Sequence, residues 1–325
     1  MFRLPEAWVW DFWLLDDGQQ YHLFFLYASR AIKDPNGRHY RASIGHAVSQ
    51  DLTNWERVAD ALVRSDTPAF DDLATWTGSV IRHPDGTWYL FYTGGTLTPA
   101  GNVQTIGYAT SPDLVTWDKS PANPVLTADS RWYEKLADGQ WHDEAFRDPW
   151  VMADPGGDGW HMLITARANH GPPDDRGVIG HAWSGDLHTW EVRPPLTAPG
   201  QGFAQLEVPQ IADVDGRLLL VFSCLGTDLS AEKRALTTDG GIWVTTAERP
   251  LGPFDIRNAQ LVTKSDMYVG RLIKNRDTGQ TMFLAFLHDG DDGEFIGEII
   301  DPRPVSWNGR TLTFQTDVSP SPRGP

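Results

Sequence analysis

The sequence predicts an all-β fold, a five-bladed β-propeller with four antiparallel strands per blade. Three observations carry that expectation. The pattern Ile-Gly followed by Ser-x-Asp-Leu-x-x-Trp recurs at offsets of 62 and 73 residues, then fades through two further copies. A hairpin with a Gly turn precedes every copy. The strand-like runs are apolar on both faces, as blades packed face to face require, and no long helical period interrupts them.

The first unit opens with Trp8-Val9-Trp10-Asp11-Phe12-Trp13, turns at Asp16-Asp17-Gly18 and returns through the apolar run Tyr21 to Tyr27. Its Ile44-Gly45 strand ends in Ser49-Gln50-Asp51-Leu52-Thr53-Asn54-Trp55. The second unit turns at Asp85-Gly86, returns through Trp88 to Tyr92, and repeats the pattern from Ile106 to Trp117. The third turns between Gly156 and Gly159, with Trp160 to Ile164 and then Ile179 to Trp190. The fourth has Asp215-Gly216, Leu218 to Phe222 and a weaker copy from Ile242, where Glu248 to Phe254 replaces the turn. The fifth has Asp277-Thr278-Gly279, Met282 to Phe286 and an eroded copy around Phe295 to Trp307.

Asp-Gly between apolar runs is a strong hairpin signal. In the repeated turn, Ser and Asp side chains can satisfy backbone groups, and Leu and Trp are expected to pack between blades. Gly94-Gly95 and Gly240-Gly241 read as turns, without the spacing of a phosphate loop. The expected organisation is one propeller domain over 1–316 and a frayed Ser/Pro/Gly-rich tail over 317–325.

Composition narrows the function. A formal net charge of −16 argues against nucleic acid and against an anionic membrane surface. It favours a neutral or cationic ligand. The 15 Trp, 14 Phe and 8 Tyr suit both half-buried strands and stacking on sugar rings. A single cysteine, Cys224, permits no intrachain disulfide and reads as a core residue. Residues 1–10 lack a signal-peptide pattern, so a cytoplasmic chain is expected, a processed secreted form being equally consistent. No metal or cofactor motif is present: His142 and Asp143 lack zinc-ligand spacing. Oligomeric state is not readable.

In a propeller the first strand of each blade lines the central channel. Asp11 lies seven residues before Gly18, Asp148 nine before Gly157, and Glu207 nine before Gly216. The three acids are therefore expected in register at one rim, on blades one, three and four. The equivalent stretches are Trp76-Thr77-Gly78-Ser79 in blade two and Met267-Tyr268-Val269-Gly270 in blade five. Converging carboxylates raise one another's pKa, which suits glycoside hydrolysis, where one carboxyl must carry a proton and another must not. Arg147, beside Asp148, is expected to help keep that aspartate charged.

These stretches resemble glycoside hydrolase families 32 and 68, the invertases, levanases, inulinases and levansucrases. Val9-Trp10-Asp11-x-Trp13 is similar to the family 68 nucleophile motif, and Tyr21-His22-Leu23-Phe24 to the following strand in family 32. Trp76-Thr77-Gly78-Ser79 resembles their Trp-Ser-Gly-Ser, Arg147-Asp148-Pro149 their Arg-Asp-Pro, and Glu207-Val208-Pro209 the Glu-Cys-Pro of family 32. The resemblance implies that Asp11 is the nucleophile on a β-fructofuranosyl unit and Glu207 the acid/base. It implies that Asp148 holds ring hydroxyls and stabilises the oxocarbenium-like state. Arg147 would orient these groups, and Trp10, Trp13 and Trp76, with Ser79, would contact the sugar. Val208 stands where family 32 has Cys and family 68 has Arg. Residues after 317 leave no room for the family 32 β-sandwich.

Asp34-Pro35-Asn36-Gly37 spells part of the family 32 nucleophile motif but falls after the second strand. It reads as a β-turn in a loop that can still shape the pocket. Trp141-His142-Asp143-Glu144 reads as a plain loop or as the leaving-group side of the site. The implied function is retaining hydrolysis of sucrose or short fructooligosaccharides, with transfructosylation as a variant. The competing readings are a family 43-like inverting arabinofuranosidase or xylosidase, and a non-catalytic carbohydrate-binding propeller.

Overall fold

The computed structural model describes residues 1–290 and 292–314. The expected tail over 317–325 lies outside the described residues. Five sheets form the blades, and in each the first strand is innermost. The inner strands are Ala7–Asp16, Ala74–Arg82, Phe146–Ala153, Glu207–Val214 and Met267–Lys274. Each pairs antiparallel with a strongly buried second strand, and four blades continue in simple order to a third and a short outer strand. Blade two adds Asp143–Glu144, which runs parallel to its third strand.

The repeat has a local cause in each blade. Asp51 Oδ1 accepts from Thr53 N at 2.9 Å and Asn54 N at 2.7 Å, and Asp113 and Asp186 do the same in their turns. This side-chain capping holds Leu52, Leu114 and Leu187 at φ of 65°, 64° and 64°. A left-handed leucine is costly, but all three are buried between blades, at 0%, 2% and 0% exposure. Trp117 and Trp190 close the turn by donating from Nε1 to Leu114 O and Leu187 O. The glycine of the Ile-Gly pair is explained in blade one: a Cβ on Gly45 would sit 2.5 Å from the ring of Phe25, its cross-strand partner.

Blade five accounts for the eroded copy. Its third-strand position is split between Phe295–Ile299, which pairs with one end of Thr281–Asp289, and Arg303–Trp307, which pairs with the other. Phe2 closes the ring by exchanging both backbone hydrogen bonds with Ile299, each 2.9 Å. Two expectations need correction. Gly240-Gly241 is not a turn, since Gly241 opens the strand Gly241–Thr246. Gly94-Gly95 is not a turn but lies inside the strand Trp88–Thr98, where a Cβ on Gly94 would collide with the Phe70 ring at 2.4 Å. The histidines of the Ile-Gly strands are buried, and each joins an Asp–His–His line. Asp17, His22 and His46 form one in blade one; Asp154, His161 and His181 form the other in blade three, with His–His contacts of 2.9 Å.

Cys224 is buried at the end of the second strand of blade four. Among the described residues, no helix is long and apolar enough to cross a membrane.

Candidate active site

Every inner strand carries a β-bulge at the same depth. The register with its partner shifts between Trp10 and Phe12, Trp76 and Gly78, Arg147 and Trp150, Glu207 and Gln210, and Tyr268 and Arg271. The bulge positions are thus Asp11 and Thr77 singly, and the residue pairs that open with Asp148, Val208 and Val269. The last three have φ of 56°, 51° and 51°. Bulges re-aim side chains and often sit beside active sites.

Three of the five bulges are latched between blades by second-strand hydroxyls. Asp148 N donates to Thr93 Oγ1 at 2.9 Å, Val208 N to Thr165 Oγ1 at 3.1 Å, and Val269 N to Ser223 Oγ at 3.1 Å. Thr165 Oγ1 also lies 2.8 Å from Asp148 Oδ2.

This register corrects one expectation. Asp11 and Asp148 are bulge residues, but Glu207 sits one position upstream, in the slot that Arg147 and Tyr268 occupy in their blades. The three acids nevertheless reach one cavity. It has a volume of about 790 Å³ and is lined by Trp10, Asp11, Trp76, Thr77, Arg147, Asp148, Gln205, Glu207 and Asp228, among others.

Two predicted contacts lie elsewhere. Trp13 and Ser79 line a separate cavity of about 380 Å³, formed by the downstream halves of the same five strands. Trp13 is 1% exposed and stacked on Phe24, and Ser79 Oγ accepts from Val151 N at 3.1 Å. Both serve the packing of the channel, because the inner strand has carried them past the bulge toward the other mouth.

Within the upper cavity, Asp11 Oδ2 accepts from Thr77 Oγ1 at 2.8 Å. Burial first, and Asp148 next, push its carboxyl up to about 7, against the hydrogen bond from Thr77. Asp148 is also raised, by burial, although Arg147 opposes the shift. Arg147 therefore does not keep Asp148 at an ordinary carboxylate value. Its Nε is 3.5 Å from Asp148 Oδ2, and its closer partner is Glu207, with Nη2 2.6 Å from Oε1. Burial would lower the Arg147 pKa, but Glu207 and Asp148 outweigh it and hold the guanidinium protonated.

Gln104 and Gln205 have no signal in the sequence, and Tyr268 is marked there only as blade five's counterpart of the acid stretches. Gln104 Oε1 accepts from Arg147 Nη1 at 3.0 Å, and Gln205 Oε1 accepts from Nη2. The Tyr268 hydroxyl donates to Glu207 Oε2. Burial, with Glu207 next, pushes that phenol far above its usual range. Thr77 lies inside a recognisable motif, and it, rather than the Ser79 of that motif, faces the acids.

The remaining walls come from loops. Asp34 and the short helix Asn36–Arg41 line the mouth, so the Asp-Pro-Asn-Gly turn borders the site without supplying the nucleophile. His39 carbonyl accepts from Trp76 Nε1 at 2.7 Å, and burial, followed by the charge of Arg38, lowers the imidazole to about 3. The Arg38 guanidinium lies 5.4 Å over the Trp10 ring. His142 and Asp143 line the opposite wall, and Asp143 Oδ2 accepts from Gln104 Nε2 at 2.6 Å. Among the described residues no group of three or more His, Cys, Asp or Glu is placed to hold a metal ion.

The model for the glycosyl hydrolases family 32 N-terminal domain matches residues 13–291. The chain belongs to family 32. The match covers Asp148 and Glu207 and begins two residues after Asp11. Family 32 membership removes the family 43-like reading and the uncertainty between families 32 and 68.

A fructan 1-exohydrolase of Aegilops tauschii is 38% identical over 131 residues, covering 38% of this chain and 20% of that protein. The β-fructofuranosidase insoluble isoenzyme of Arabidopsis thaliana is 30% identical over 198 residues, covering 60% of this chain and 33% of that protein. The matched stretches thus span about a third or less of these relatives. An inulosucrase from Halalkalicoccus jeotgali bound to kestose shares the fold at a TM-score of 0.76 and 20% identity, covering 96% of this chain and 87% of that one. A Bombyx mori β-fructofuranosidase does so at 0.70 and 21%, covering 97% and 64%.

Proposed function

We propose that this family 32 chain is a retaining glycoside hydrolase acting on β-fructofuranosides, sucrose or short fructooligosaccharides. The observation that carries the reading is the convergence of Asp11, Asp148 and Glu207 on one cavity, with Arg147 joining two of them. Its volume of about 790 Å³ suits a small-molecule ligand. Trp10 and Trp76 contribute aromatic side chains to the cavity lining. A neutral sugar avoids the repulsion that a net charge of −16 imposes on anions.

Asp11 attacks the anomeric carbon while Glu207 delivers a proton to the departing glycosidic oxygen. A covalent fructosyl–Asp11 ester results. Glu207, now ionised, takes a proton from water, whose oxygen attacks the same carbon and releases Asp11. A second sugar hydroxyl in place of that water gives transfructosylation. Asp148, fixed by Thr165 and by Val208 N at 3.3 Å, accepts hydrogen bonds from ring hydroxyls as charge develops. Arg147 holds Glu207 against Asp148.

The compartment expectation stands apart from this chemistry. Named relatives include a vacuolar acid β-fructofuranosidase and an insoluble isoenzyme, both of Arabidopsis thaliana, so the cytoplasmic expectation is not carried into the proposal.

The test is product analysis on sucrose, inulin, levan and an aryl arabinofuranoside, with the released anomer followed by NMR. Retention on fructosides, lost by at least about 10³-fold in Asp11→Ala, is expected. Inversion, or full turnover in Asp11→Ala, would sink the mechanism. Sugar binding without cleavage of any substrate would favour the binding propeller.

A further inference from the structure

Below the three acids, the axial channel holds a second buried cation that the mechanism does not use. Arg271 lies on the inner strand of blade five, two residues past its bulge residue Val269, and is 2% exposed. Its Nε donates to Phe12 O at 2.9 Å. Its Nη1 donates to Val208 O at 3.3 Å and Pro209 O at 3.2 Å. Phe12 follows Asp11, and Val208 follows Glu207. Blades one and four do not touch through neighbouring sheets, because blade five stands between them. One guanidinium from the intervening blade therefore holds the backbone beside the candidate nucleophile and the backbone beside the candidate acid/base.

We infer that Arg271 is the positioning residue that sets the separation between the Asp11 and Glu207 carboxyls. The inference rests on the roles proposed above for those two acids. That separation matters because about 5–5.5 Å permits a covalent intermediate, whereas about 6.5–9.5 Å leaves room for a water and inversion. The planar fork fits this role because two of its nitrogens reach different strands at once, which a lysine ammonium on a flexible stem does not do. Its charge has a second effect. Burial lowers its pKa to about 10, while the fields of Asp148 and Asp11 hold the proton on it, so it faces those two carboxylates as a cation. Asp148 and Asp11 are the charged groups whose fields act on it, and the Trp150 ring lies 5.4 Å from the guanidinium.

Two variants separate the tether from the charge: Arg271→Lys keeps a cation without the fork, and Arg271→Gln removes both. Each is compared with the unaltered chain for kcat, KM and the pH profile on a cleaved fructoside, with melting followed by circular dichroism. Both variants are expected to lose about 100-fold in kcat, the cost of a misplacement near 1 Å, with KM within about threefold. Only Arg271→Gln should move the acid limb of kcat/KM to higher pH, since losing a nearby cation disfavours ionised Asp11 and Asp148. A folded Arg271→Lys with the kcat of the unaltered chain overturns the inference, as does Arg271→Gln with unaltered kcat. If Arg271→Gln does not fold, Arg271→Lys decides. If the unaltered chain cleaves no fructoside, the proposed reaction fails on its own. The inference is then judged by the crystal structure of Arg271→Lys, where an unchanged Phe12-to-Val208 backbone separation refutes it.

Discussion

Asp11 illustrates what a candidate active site costs a protein. Its carboxyl is raised from 3.8 to about 7 by burial and by Asp148. A carboxyl raised on folding adds no penalty below pH 3.8. The folded state then binds the extra proton, so stability falls as pH rises from 3.8 toward 7 and stays lowered above that. Asp11→Asn should therefore abolish turnover yet stabilise the fold at pH 8, by up to about 4 kcal/mol, and change stability little at pH 4. Urea denaturation at the two pH values checks this. A gain of the same size at both would mean that the aspartate is strained for some reason other than charge. Thr77 acts the other way, since its hydrogen bond lowers the Asp11 pKa. Thr77→Val should shift the acid limb of kcat/KM upward and cost about tenfold in activity near pH 6, a ratio that a pH–rate profile measures.

The strands and turns explain what can be read from the sequence and what cannot. The repeated turn is a local code: a Ser, an Asp two residues on, a Leu that must be buried, and a Trp that caps it. Such a unit declares itself wherever it occurs, and its three copies set the repeat length by which the two weaker units are recognised. Asp51→Ala, Asp113→Ala and Asp186→Ala should each cost about 1 kcal/mol by urea denaturation, and the costs should add, because the turns sit in separate blades. The bulge is different. It arises from pairing between strands, so no spacing to a glycine turn reveals it. The count to Gly216 puts Glu207 level with Asp148, whereas the pairing puts it one residue upstream. The same blindness misplaces Trp13 and Ser79. Each residue advances a strand by about 3.3 Å, so two residues beyond the bulge already belong to the other cavity. The partners Gln104 and Gln205 are invisible for a related reason, and Tyr268 shows its position but not its contact: they come from other blades or loops, and only the closed ring brings them to Arg147 and Glu207.

At the scale of the whole molecule, the ring is only as firm as its closure. Phe2 is the point where the first residues meet the last blade, through paired backbone bonds to Ile299 and a ring contact with Phe25 at 4.8 Å. It is 8% exposed. Phe2→Ala should cost about 3 kcal/mol, the usual penalty for a buried phenylalanine. The expected signature is a lowered denaturation midpoint with an unchanged slope, meaning that the ring still melts as one unit. A shallower slope would show the first or last blade detaching separately.

The two cavities of the channel share no lining residue, and neither Phe12, at 0% exposure, nor Arg271, at 2%, lines either of them. The upper cavity is therefore expected to act as a cul-de-sac and not a tunnel. Under the proposed function a long chain would not thread through it; a free terminus would dip in, and what is cut off would back out the way it came. On an inulin-type polymer this means nibbling. Size-exclusion chromatography should show monosaccharide accumulating while the bulk of the polymer keeps nearly its starting length, whereas a rapid collapse of that length would mean that the floor opens.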